Sequence, residues 1–150
     1  MANVTARASG RAVGVDLGSR RIGLALSDPS GVVATPHAVL VRAPDPGDDH
    51  RAIVALAREV GAPTIVVGLP LSLSGAVGPA ARAVLAEVDA LRAEAAAAGI
   101  EVVVHDERLT TGTAEGALRE ARMRRDARRR VVDKVAAAVM LQSWLEAGGR

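Results

Sequence analysis

The chain has no cysteine, no phenylalanine and no tyrosine, and a single tryptophan. Without cysteine there are no disulfides and no thiolate metal sites, a composition compatible with the cytosol. One indole in 150 residues all but excludes a base-stacking platform built from aromatics. A nucleic acid, if bound, must then be held by phosphate contacts and shape. No apolar run is long enough to span a bilayer. The opening MANVTARASGR lacks the apolar stretch of a secretory signal and reads as a frayed tail. Neither sign of charge dominates: 19 Lys and Arg face 17 Asp and Glu, leaving +2. Where the charges lie therefore matters more than their sum.

What is present suffices for one globular domain, expected over residues 11–147, with a short tail at 148–150. Hydrophobic residues make up 49% of the chain, which argues against general disorder. The chain is organised around Arg11 to Asp28, RAVGVDLGSRRIGLALSD. Apolar residues flank one carboxylate, Asp16, before a Gly-Ser turn and a second strand running back. Burying a carboxylate in such a strand is costly unless it is paired, hydrogen-bonded or bound to a cation. A hydrogen bond from its own turn is the ordinary alternative.

Pro29-Ser30-Gly31 turns the chain into a third strand, Val32 to Val41, with Pro36 pointing to an edge position. Asp48 or Asp49 is expected to cap a helix over His50 to Val60, and Gly61 to close it. Thr64 to Val67 is a short apolar strand, followed by the loop GLPLSLSG. Pro79 to Ala98 is a long helix with Val84, Leu85, Val88 and Leu91 on one side. Ile100 to Val104 is the fifth strand. A helix is expected over Thr113 to Arg122, a basic connection over Met123 to Arg130, and a last helix over Val131 to Ala147. The order βββ-α-β-α-β-α-α implies an α/β fold, a mixed five-stranded sheet with helices on its faces.

Three places supply acids. Asp16 stands late in strand 1. Asp106 and Glu107 follow strand 5. Asp133 opens the last helix, at the end of a stripe through Ala136, Ala137, Met140 and Trp144. Taken alone, Asp133 would be explained by the helix dipole. Carboxylates gathered at one sheet edge repel each other, and hard divalent cations relieve that repulsion. Two such ions can flank a phosphodiester, and this chemistry needs neither Cys nor His. The arginines Arg119, Arg122, Arg124, Arg125, Arg128, Arg129 and Arg130 lie just ahead of Asp133. They suit a polyanion held by salt-dependent phosphate contacts, although a solvated charge run is common.

Four motifs in order complete the picture: GVDLGSRRIGLALSD, VVGLPLSLSG, DERLTT and VVDKVAAAVMLQSWLE. Together they resemble the YqgF/RuvX family of Holliday-junction-resolvase-like proteins, the pre-16S rRNA nucleases, over about Arg11 to Glu146. The resemblance implies an RNase H-like fold and a cytoplasmic nuclease using a divalent metal, Mg2+ or Mn2+. It implies a nucleic-acid substrate, pre-rRNA or branched DNA, with the assembling ribosome as a partner and no membrane. Carried over by motif, the catalytic acids and metal ligands fall on Asp16, Glu107 and Asp133, with Asp106 supporting. Lys134 is a candidate phosphate contact beside Arg122, Arg124, Arg125, Arg128, Arg129 and Arg130. Ser72 and Ser74 depart from the family's loop, as Gly112 and Gly116 depart from its usual helix formers; the acids are unaffected.

Two other readings compete. The first hairpin also looks like the phosphate-binding hairpin of actin-type ATPases and sugar kinases, but those need two such domains around a cleft. A non-catalytic nucleic-acid-binding module on the same fold is the other. Loss of activity on substituting Asp16 separates it from a nuclease.

Overall fold

Alternation in the first strand sorts its residues by size. Val13, Val15 and Leu17 point one way, and Ala12, Gly14 and Asp16 the other. The computed structural model describes residues 10–71, 74–106 and 125–149, with the backbone alone for 125–132. In it the first strand, β1 (Ala12–Leu17), pairs antiparallel with β2 (Arg21–Ser27), and β2 with β3 (Ala34–Val41). β1 also pairs in parallel with β4 (Thr64–Leu69), and β4 in parallel with β5 (Glu101–Asp106). The sheet order is β3-β2-β1-β4-β5. β3 is an edge strand, as Pro36 implied, and the register slips between Leu24 and Ala25 where Ala25 meets Pro36.

The large residues face two helices, α1 (Pro46–Val60) and α2 (Pro79–Ala96). Val13, Val15, Ile65 and Val67 meet Ile53, Ala57, Val88 and Leu91 in one buried cluster. The small residues face the third described helix, α3 (Arg125–Glu146). There Ala12, Ala25 and Val66 meet Ala137, Met140, Leu141 and Trp144. The sheet is thus covered on both faces, and each face buries its own core.

Several boundaries differ from expectation. α1 starts at Pro46, and its N-cap is Asp45, whose carboxylate accepts from Gly47 N at 3.0 Å. Proline is well suited to the first helical position, so the helix begins earlier than the periodicity of its apolar residues suggests. Asp49 is not a cap but is buried, accepting from Ala43 N at 3.0 Å. Gly61 closes α1 in the left-handed region, φ 71°, as expected. β4 and β5 each run two residues further than their apolar cores, because backbone pairing continues through Gly68–His105 and Leu69–Asp106. Residues 125–130 form the first turns of α3 rather than a connection. Arginine is a good helix former, and a charge run reads as a loop only when propensity is ignored. Asp133 is therefore about two turns inside α3, beyond the reach of the N-terminal dipole. The helix expected over Thr113 to Arg122 lies outside the described residues.

Candidate active site at the carboxyl end of the sheet

β1, β4 and β5 are parallel, so Asp16 and Asp106 come to the same carboxyl edge, with β4 between them. This is the edge where open α/β sheets bind ligands. Asp16 stands directly opposite Gly23 of β2. Gly23 in turn is where α3 touches the sheet: a Cβ built there would lie 1.9 Å from the carbonyl oxygen of Asp133. Gly14 plays the same part about two turns further on, where a Cβ would lie 2.8 Å from that of Leu141. Only residues without a side chain allow α3 to lie this close. The backbone of Asp133 is set against the strand position that faces Asp16, on the same face of the sheet.

The Asp133 carboxylate is held by Arg21 of β2, with Nε donating to Oδ2 at 2.7 Å. Both side chains are partly buried, 29% and 24% exposed. Arg21, Gly23 and Ala25 share the α3 face of β2, so Arg21 stands on the face that carries Asp16.

His105 of β5 also turns toward α3 and hydrogen-bonds Ser143 Oγ at 2.9 Å through Nε2. Burial lowers its pKa, partly opposed by the neighbouring Asp106. Since His105 faces α3 and Val104 packs on the opposite core, alternation puts Asp106 on the α1 and α2 side. Asp106 thus shares an edge with Asp16 but not a face. Glu107, the next residue in the chain, lies outside the described residues, as do Arg119, Arg122 and Arg124. Arg125, Arg128, Arg129 and Arg130 lie on α3 in the turns that lead to Asp133. Lys134 follows it and is partly buried.

A group of charges that sequence reasoning missed braces the turn after Asp16. Arg42, just past β3, donates from Nε to Gly18 O at 2.9 Å, and its own N–H donates to Arg20 O at 2.9 Å. Its Nη1 and Nη2 grip the two oxygens of Glu87 of α2 at 2.5 and 2.8 Å. His50 Nε2 donates to the same carboxylate at 2.8 Å, and Asp49 Oδ2 stands 3.5 Å from Arg42 Nη1. The two-pronged bond to Arg42 holds the Glu87 carboxyl below its usual range, with burial acting against it and His50 assisting. The only hint in the sequence is Asp49 and His50 set among apolar positions; Arg42 and Glu87 give none.

Hard carboxylate oxygens without sulfur suit Mg2+ or Mn2+. Asp16 and Asp133 offer donors of this kind, and Asp133 is engaged by Arg21. Among the described residues no three His, Asp or Glu side chains form a metal-sized cluster. With Glu107 undescribed, the described pair is Asp16 and Asp133.

Comparison with known proteins places this fold in a class. The Holliday-junction complex of T. thermophilus RuvC superposes with a TM-score of 0.55 at 17% identity, covering 93% of this chain and 96% of that one. The yeast mitochondrial Holliday junction resolvase Ydc2 superposes with 0.52 at 12% identity, covering 91% and 78%. The fold is therefore RNase H-like, shared with these two structures. More narrowly, the chain belongs to the RuvX family, described as Holliday junction resolvase, which matches residues 10–147. A relative from Mycobacterium sp. strain KMS, named as a pre-16S rRNA nuclease, is 44% identical over 138 residues, or 91% of this chain and 80% of its own. One of the same name from Desulforudis audaxviator is 44% identical over 135 residues, covering 90% and 93%.

Proposed function

We propose that the chain is a divalent-metal-dependent endonuclease that hydrolyses phosphodiester bonds, acting at the 5′ end of the 16S rRNA precursor in the cytoplasm. The observation that carries the reading is the close approach at Gly23. It brings Asp133 of the last helix to the sheet face and edge that present Asp16 of the first strand. Asp16, Glu107 and Asp133 are the proposed catalytic carboxylates and metal ligands, and Asp106 supports them. A cation such as Mg2+ or Mn2+ held there would supply an activated water and stabilise the leaving oxygen.

The chain's own residues do the rest. β1 is hydrogen-bonded on both sides, so Asp16 is presented from a rigid element. Arg122, Arg124, Arg125, Arg128, Arg129, Arg130 and Lys134 are proposed to hold the sugar–phosphate backbone. Such contacts position without reading sequence, in keeping with the scarcity of aromatic rings. The names of the relatives favour pre-rRNA, with the assembling ribosome as the partner. The family's description favours a four-way DNA junction as the second reading. A panel of labelled substrates separates them: a 16S leader fragment, single-stranded DNA and a four-way junction, each with Mg2+, Mn2+ or chelator. Metal-dependent cutting of the leader fragment supports the first reading, and preference for the junction supports the second. Binding without cutting of any substrate would leave a non-catalytic module.

A further inference from the structure

The contact between Arg21 and Asp133 puts a permanent positive charge on a carboxylate proposed to bind metal. We infer that Arg21 is the resident counter-ion of Asp133 in the metal-free protein, and that it is released to a substrate phosphate when a divalent cation binds. The inference rests on the reading of Asp16 and Asp133 as metal-binding carboxylates.

Three observations carry it. First, the bond is short and charge-assisted, Nε to Oδ2 at 2.7 Å, and the side chains are only partly exposed. An acid brought to the face of Asp16 without a cation would face like-charge repulsion, and Arg21 offsets it. Second, the two partners differ in freedom. The Asp133 backbone is packed against Gly23 so tightly that not even a methyl group fits between them. Arg21 instead reaches the carboxylate on a long, flexible side chain from the first residue of β2. When the pair opens, Arg21 is the partner that moves. Third, the bond uses the Nε–H, and the terminal Nη groups have no hydrogen-bond partner among the described residues. A guanidinium is the group best shaped to grip a phosphate with two parallel bonds. Arg21 and Asp16 share one face at one edge, so a released Arg21 remains beside the reacting group.

The device couples charge states. Without metal, the site is closed by an internal ion pair. With metal, the negative charge of Asp133 is taken up and a cation is freed for the incoming polyanion. Metal and nucleic acid should therefore bind with positive cooperativity through Arg21.

Two measurements test this apart from cleavage. In 15N-labelled wild-type protein, the Arg21 Nε–H resonance should be protected from exchange without metal and lose that protection on addition of Mg2+. A signal that stays protected at saturating Mg2+ overturns the inference. Mn2+ titration of wild type, Arg21→Ala and Asp16→Asn gives the second readout. Removing the competing cation should tighten Mn2+ binding roughly two- to five-fold, the range for a partly exposed ion pair. It should also weaken metal-dependent binding of a non-cleavable oligonucleotide, and Arg21→Lys should restore part of that binding. Equal or weaker Mn2+ binding by Arg21→Ala, with binding still lost in Asp16→Asn, overturns the role of Arg21 and leaves the metal site standing. Absence of Mn2+ binding in wild type and Arg21→Ala alike overturns both.

Discussion

Asp16 is the residue on which the proposed chemistry turns, and its replacement is the sharpest change of a single group. Asp16→Asn keeps the shape and removes the charge, so cleavage should fall by orders of magnitude while the thermal midpoint changes little. Parallel cleavage and melting measurements check both. Glu107→Gln should behave in the same way; if it cuts normally while Asp106→Asn does not, the role belongs to Asp106. At this scale the sequence was informative where chemistry is unusual: a lone acid in an apolar strand stands out. It was silent on Arg21, because an arginine after a turn is ordinary. Its partner, Asp133, lies at the other end of the chain and is reached only through the fold.

Among the elements, α3 carries the most consequence, and Gly23 is what lets it dock. Gly23→Ala forces a methyl group into the space of the Asp133 carbonyl, a backbone atom that cannot swing aside. The helix must shift, at a cost of about 1 to 3 kcal/mol. Denaturant unfolding should show that loss. Cleavage measured where the variant is still folded should also fall, since Asp133 moves with the helix. An unchanged midpoint together with unchanged cleavage would show that the close approach is dispensable.

The strands were legible from apolar runs bounded by turn residues, and the edge position of β3 from Pro36. The starts of helices were less so. Asp45-Pro46 is a capping pair, but the apolar periodicity begins only at Ile53, so Asp48 and Asp49 drew attention instead. Arg125 to Arg130 read as a connection because charge outweighed helix propensity. That shift changes the meaning of Asp133, which now needs another partner than the helix dipole.

In the whole molecule, the two described layers of helices are tied to the one sheet edge where catalysis is proposed. α3 brings Asp133 from one face. From the other, Arg42 links Glu87 of α2 and Asp49 of α1 to the carbonyl of Gly18, two residues past Asp16. Breaking a paired, partly buried charge leaves its partner uncompensated. The Glu87 carboxyl titrates below its ordinary value of 4.5 in the folded protein. The unfolded chain therefore takes up the proton first as pH falls, and stability declines through the acid range below 4.5. The stability Glu87 contributes is fully present above that value. In Glu87→Gln, the unfolding free energy should be lower at neutral pH and depend less on pH in this acid window, as thermal melts from pH 7 to pH 3 would show. A slope equal to that of wild type would assign the acid sensitivity to other carboxylates.

The central claim is that Asp16 and Asp133, with Glu107, form one metal site at the carboxyl edge of the sheet. Anomalous diffraction from crystals grown with Mn2+ tests it most directly. A peak coordinated by the carboxylates of Asp16 and Asp133, and absent from crystals of Asp16→Asn, is the expected result. Mn2+ bound away from both residues in protein that cleaves its substrate would contradict it.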